Sequence, residues 1–303
     1  MTETLEKLAK KLEAHEDYKV LRRLKGLEPK LAQEGQKLFS GRYVDVESTG
    51  LDTERDEVIE LAIHPFNFTA DGTICGIGKP YHGFQEPNKP LTDIVKKVTG
   101  LTDEILKDQK ILIVDVEANM KGAELVIAHH AAFDRLMLER LSDKFKSVCW
   151  GCSMSQVPWA DFGIEGKKLT FVLNGLGYFY DAHRATVDCE AGIFALGAAL
   201  PSGKTALSYV LEAGRKTSFH VWAVGAKFEF NDGIKPGDLM KARGYFWSPG
   251  ENGKRKAWHK EIGADEREAE EAWLAQNVFR SLTCPSSVVF DKVTAFDRFS
   301  KRG

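Results

Sequence analysis

Few stretches of this chain leave as little freedom as residues 41–51, which read Gly41-Arg42-Tyr43-Val44-Asp45-Val46-Glu47-Ser48-Thr49-Gly50-Leu51. Side chains alternate along a strand, so Asp45 and Glu47 share one face while Val44 and Val46 point into a core. Two carboxylates on one face resist ionising together unless a cation lies between them. Such a strand is either a half-exposed edge with two solvated acids or one half of a charged site completed from elsewhere. The remainder of the sequence has to decide between the two.

At 303 residues the chain exceeds the usual single-domain size, so two domains are expected. No apolar run approaches the roughly 20 residues of a membrane span, and the start, Met1-Thr2-Glu3-Thr4-Leu5-Glu6-Lys7, lacks the apolar core of a signal peptide. A cytoplasmic protein without membrane contact is the expectation. The cysteines, Cys75, Cys149, Cys152, Cys189 and Cys284, form an odd set without framework spacing, which suits a reducing compartment. Cys149-Trp150-Gly151-Cys152 has no second Cys or His pair nearby to complete a zinc site, and reads as two small buried hydrophobes. The net charge of −2 excludes a polycationic coat for nucleic acid, but it is unevenly spread. Residues 201–303 carry 17 Lys and Arg against 13 Asp and Glu, a balance of +4, which leaves −6 for residues 1–200.

Residues 1–36 read as a helical extension, with Leu5, Leu8 and Leu12 and then Val20, Leu21 and Leu24 at helical spacing. Arg22, Arg23 and Lys25 fit a solvated helical face. Strands are predicted over 38–47, 57–68 and 73–77, with Asp71-Gly72 a hairpin turn, which makes an antiparallel meander led by the acidic strand. A helix over 91–98 closed by Gly100 follows, then an ambiguous stretch over 103–121. Glu124-Leu125-Val126-Ile127-Ala128-His129-His130 is an apolar strand ending in histidines, and a helix over 131–141 places Asp134 in its first turn. A strand over 146–152 and helices over 169–176 and 186–200 complete this part, and Pro201-Ser202-Gly203 marks the domain boundary.

Asp45, Glu47, Asp134 and Asp188 thus stand at or near element ends, with His183 five residues before the last. If these carboxylates converge they bind two Mg2+ or Mn2+ ions, hard cations that prefer oxygen ligands. Such a pair serves in-line phosphoryl displacement, and a histidine takes the proton of the attacking water. Singly, His183 reads as a surface-loop residue and Asp188 as a first-turn acid favoured by the helix dipole.

Three motifs carry a resemblance: Asp45-Val46-Glu47-Ser48-Thr49-Gly50, then Ala128-His129-His130-Ala131-Ala132-Phe133-Asp134, then His183-Arg184-Ala185-Thr186-Val187-Asp188. In that order the chain resembles the DnaQ-like, DEDDh-type 3′-5′ exonucleases over about residues 38–200, and Val98-Thr99-Gly100-Leu101-Thr102 is similar to a segment these enzymes carry between the first two motifs. The resemblance implies an α/β domain over 37–200 with a ribonuclease H-like mixed sheet flanked by helices. It implies that Asp45, Glu47 and Asp188 hold one metal ion, that Asp45 is shared with the second, and that Asp134 supports the second. It further implies His183 as general base, and substrate contacts from Thr49, Gly50, Leu51, His130 and Phe133. Ser48 replaces the commoner Thr, and His130 stands where the family usually has Asn. The implied substrate is nucleic acid with a free 3′ end, DNA ahead of RNA and single strands ahead of duplex. An exoribonuclease or a catalytically quiet polymerase-associated subunit are the alternatives.

Residues 201–303 read as a small α+β accessory domain in the order βαββαβ, which suits a ferredoxin-like sandwich. Phe219, Trp222, Phe228, Phe230, Tyr245, Phe246, Trp247 and Trp258 are interleaved there with lysine and arginine. Aromatic faces stack on bases and basic side chains neutralise phosphates, so a single-strand-binding platform is one reading. The other is a sandwich core with solubilising lysines, expected for Trp222, Phe246 and Trp273. The basic hairpin Gly253-Lys254-Arg255-Lys256 fits either.

Overall fold

The computed structural model describes residues 2–251 and 255–301, in two compact units, Met1–Ala213 and Gly214–Gly303. The first is built on a six-stranded mixed sheet. Its central strand, Phe39–Ser48, pairs antiparallel with Val58–Phe68 on one side and parallel with Leu125–Ala128 on the other. Ile74–Ile77 and Tyr81–Phe84 both pair with the long strand Val58–Phe68, and Cys149–Cys152 runs parallel beside Leu125–Ala128. The meander is as expected from the Asp71-Gly72 turn; the strand Tyr81–Phe84 carries no alternation of its own and was not expected.

Helices flank this sheet. Asp93–Thr99 ends on Gly100 in the left-handed conformation, and the ambiguous region resolves into Asp103–Leu106 and Ile113–Met120. Ala131–Leu141 has the expected bounds. Helix Ala185–Gly197 crosses the sheet over the central strand, and what sets its height is one residue. A Cβ on Gly192 would lie 2.0 Å from Cζ of Tyr43, so only glycine lets the helix backbone lie against that fully buried ring.

The N-terminal expectation needs correction. Only Thr2–Glu13 is helical; the chain beyond it turns at residues 14–17 and then runs without a helix, and Arg22–Arg23 pairs parallel with Tyr178–Phe179. Leu24 and Leu27 pack against the main core from this non-helical segment, which satisfies their apolar spacing without a helix. Arg22 is not on a solvated helical face but binds Glu6 at 2.8 Å and also Glu13. The first unit extends past Pro201 because Ala206, Leu207 and Val210 of helix Ala206–Arg215 belong to its core.

In the second unit, Ser218–Ala223, Phe246–Pro249, Lys256–Gly263 and Val288–Val293 form an antiparallel sheet, ordered second, third, first, fourth. Helix Pro236–Ala242 joins the first two strands and a helical run beginning at Arg267–Trp273 joins the last two, so two βαβ units interleave. Val221, Ala223, Met240, Tyr245, Ile262, Leu274, Val278 and Val288 make its core, with Trp273 packed against it. Alternation puts Trp222 on the other face, where its ring stacks between His220 at 4.5 Å and His259 at 4.8 Å. Phe246 is 69% exposed on the edge strand rather than in a core. Gly253 and Lys254 of the basic hairpin lie outside the described residues. No described helix is long and apolar enough to cross a membrane.

Candidate active site

Strand alternation brings Asp45 and Glu47 to the same face of the central strand, opposite Ala62 and Glu60 of its neighbour. Helix Ala185–Gly197, docked at Gly192, carries Asp188 one turn earlier and sets it over them. Carboxylate oxygens of Asp45, Glu47 and Asp188 all come within 4.8 Å of one another, close enough to share a cation. Asp134, 4% exposed in the first turn of Ala131–Leu141, stands outside that trio but beside it. Its carboxylate accepts a hydrogen bond from the Val46 backbone amide, and after burial it is the strongest influence on Asp45.

The electrostatics are those of crowded acids. Burial and then the charges of Asp134, Asp188, Glu47 and Glu60 push Asp45 well above the ordinary carboxylate range. Burial, then Asp188, Glu60 and Asp134, push Glu47 up to about 8. Burial raises Asp134 to about 7, and raises Asp188 against the opposing hydrogen bonds it accepts. Those bonds come from the Tyr180 hydroxyl at 2.8 Å and from the backbone amides of His183 at 2.8 Å and Arg184 at 3.0 Å.

A measurable consequence follows from the sign of these shifts. Folding holds the carboxyls above their unfolded values, so stability is complete below the unfolded range near pH 4 and is lost as pH rises through about 7 to 8. Thermal melts of EDTA-treated protein should therefore show Tm falling from about pH 5 to about pH 8.5, with added Mg2+ restoring most at the higher pH. A Tm that climbs over this range, or a Mg2+ effect independent of pH, would contradict the carboxylate cluster.

His183 sits in the turn before the helix with φ +73, a left-handed backbone that costs a non-glycine residue about 1–2 kcal/mol. Its amide bond to Asp188 holds the turn, and its side chain faces solvent. The next residue, Arg184, is tied to the sheet from below: its Nε lies 3.4 Å from Oε1 of Glu60, which His82 Nε2 also meets at 2.7 Å. Glu60 is fully buried and its second oxygen has no described partner. Sequence reasoning missed this group; its signal was an acid inside the apolar run Val58-Ile59-Glu60-Leu61-Ala62-Ile63.

After Glu47 the register slips and the chain leaves the sheet as a short loop. Asp56 pins it: Oδ1 accepts from the Thr49 hydroxyl and Oδ2 from the Asp52 amide, each at 2.8 Å. Arg140 donates to the carbonyls of Thr53 and Asp56, both at 2.8 Å. Gly50 packs over Asp56, and the loop holds Leu51 88% exposed. The pinning by Asp56 was also missed. His130, exposed at the N-terminus of its helix, stacks its ring on half-buried Phe133 at 6.2 Å and 11°. His129 turns the other way, bonded to Ser153 at 3.0 Å and the Lys167 carbonyl at 2.7 Å, and burial lowers it to about 4. Cys152 is buried with its thiol on the His129 carbonyl, while Cys149 is half-buried on the same strand.

The profile of the exonuclease family (RNase T type) matches residues 43–193. Among curated proteins, DNA polymerase III of PolC type from Bacillus subtilis is 34% identical over 93 residues, 30% of this chain and 6% of the polymerase. The PolC-type polymerase of Staphylococcus saprophyticus is 28% identical over 166 residues, 51% of this chain and 11% of that one. The chain thus spans only a small fraction of these relatives. Among solved structures, the zinc-bound complex of Escherichia coli exonuclease I with single-stranded DNA superposes with a TM-score of 0.51 at 11% identity, over 74% of this chain and 63% of that one. At that identity the likeness is one of fold.

Proposed function

We propose that the chain, which through residues 43–193 belongs to the DnaQ-like exonuclease family, hydrolyses the terminal phosphodiester bond at the 3′ end of DNA, single strands preferred. The observation that carries this reading is the approach of the Asp45, Glu47 and Asp188 oxygens to within 4.8 Å of one another.

The donor set fits hard dications: all-oxygen, multiply anionic, and held by elements too well packed to spread apart. Asp45, Glu47 and Asp188 would hold one Mg2+ or Mn2+, and Asp45 with Asp134 a second. What such ions supply is neutralisation of the scissile phosphate and a water acidic enough to attack at neutral pH. The protein's own part is positional. His183 takes the proton of the attacking water, its reach fixed by the strained turn on Asp188. Thr49 and Gly50 present backbone groups to the terminal nucleotide, and Leu51, held out by the Asp56 pin, wedges against its base. The His130–Phe133 stack receives the sugar and base beyond it. The second unit holds the strand.

The deciding experiment is digestion of matched DNA and RNA oligonucleotides, labelled at either end or blocked at the 3′ end, with Mg2+, with Mn2+ and with EDTA. Stepwise loss from a free 3′ end of DNA, stopped by EDTA and by the block, is expected. Faster loss of RNA would reassign the substrate to RNA, where the pocket reads the 2′-hydroxyl. The similarity to PolC-type polymerases supports a second reading, a module that acts beside a polymerase. Stoichiometric strand binding without products would favour it.

A further inference from the structure

The second unit contains a cavity of about 400 Å3, where the end of strand Ser218–Ala223 and the first turn of helix Pro236–Ala242 meet strands Phe246–Pro249 and Lys256–Gly263. This is within the usual range for small-ligand sites. Phe228, Trp247 and Trp258 line it, and the two tryptophan rings meet edge to face at 5.7 Å. Gly237 makes room beside Trp258: a Cβ there would sit 3.1 Å from the indole. Phe228 is 83% and Trp247 49% exposed, so neither ring is consumed by the core.

The charge of the lining is one-sided. Lys227, Lys235 and Lys256 are exposed around the cavity, and among the described residues none of them forms an ion pair. Asp238 is the one acid of the lining, which leaves it at +2. Lys235 lies 5.8 Å from the centre of the Phe228 ring, so cation and stacking surface are adjacent. Large wet aromatic faces next to uncompensated lysines, around an opening of this size, match the two chemistries of a nucleotide: a base with a π face and a phosphate with a negative charge.

We propose that this cavity is a nucleotide subsite for single-stranded DNA, one base stacking on Phe228 and Trp247 while the flanking phosphates meet Lys227, Lys235 and Lys256. The inference rests on the nuclease reading for the identity of the polymer. Stacking requires an unpaired base, and because every base has a π face the subsite is tolerant of sequence.

The test is fluorescence anisotropy of a 5′-labelled oligo(dT) of about 20 nucleotides with the full chain, in EDTA so that the strand stays intact. Phe228→Ala and Trp247→Ala should each weaken binding by roughly five- to a hundredfold, whereas Trp247→Phe, which keeps a ring, should bind close to the unmodified protein. Replacing Lys227, Lys235 and Lys256 together with Gln should lower the slope of log affinity against log salt by about 2. Unchanged affinity and slope, in variants whose circular dichroism and Tm match the unmodified chain, would overturn the subsite. Failure of the nuclease reading looks different: the unmodified chain would then digest no oligonucleotide in Mg2+ or Mn2+.

Discussion

Asp45→Asn is expected to cut 3′-end hydrolysis by roughly a thousandfold or more while making the metal-free protein more stable at alkaline pH. The two effects have one cause. Asp45 is the member of the carboxylate group that every other acid of the site, Asp134, Asp188, Glu47 and Glu60, pushes upward in addition to burial. Asparagine keeps its shape and removes the charge, so the repulsion that weakens the metal-free fold is relieved and the centre of the cation site is lost with it. Product analysis gives the first effect, and EDTA melts at about pH 8.5 the second. Loss of activity together with lower stability would assign Asp45 a packing role instead. Retained activity would remove the site altogether.

The second large effect belongs to His183. As the base that takes the water's proton it should be worth roughly 10²- to 10⁴-fold in kcat, with KM little changed. The replacement matters, because φ at this position is +73 and alanine would strain the turn. Asparagine tolerates the left-handed region, so His183→Asn removes the imidazole and leaves the turn in place. The amide of residue 183 still donates to Asp188 in the variant. Mg2+ affinity, followed through its stabilising effect on Tm, should therefore stay near that of the unmodified chain. If metal affinity falls in step with kcat, the residue positions Asp188 and takes no proton.

The acidic strand, the hairpin at Asp71-Gly72 and the helix from Ala131 were legible because each declares itself within a few residues, by alternation, by a turn dipeptide or by a first-turn acid. The order of the three motifs supplied Asp134, His183 and Asp188. The groups that escaped are joined over distances no local pattern spans. Glu60 meets His82 across 22 residues and Arg184 across 124, and alternation alone reads an acid in a strand as solvent-facing. Asp56 looks like one more polar loop residue until both its oxygens are seen to be occupied. Residues 15–34 misled in the other direction. Apolar residues at threefold spacing suit a non-helical segment pressed on a core as well as a helix, and here the pairing with Tyr178–Phe179 decides. Phe246 misled because an edge strand leaves one face of its aromatic in water.

The contact between Gly192 and Tyr43 has a consequence for the order of folding. The acids above it come from segments more than a hundred residues apart, and only the docking of that one helix brings the last of them to the first two. Contacts of such long separation are closed late, since their loop entropy is offset only when the sheet beneath is complete. A nascent or misfolded chain therefore carries the right residues without the site. The carboxylate group is thus a property of the finished fold and of no single segment of the chain.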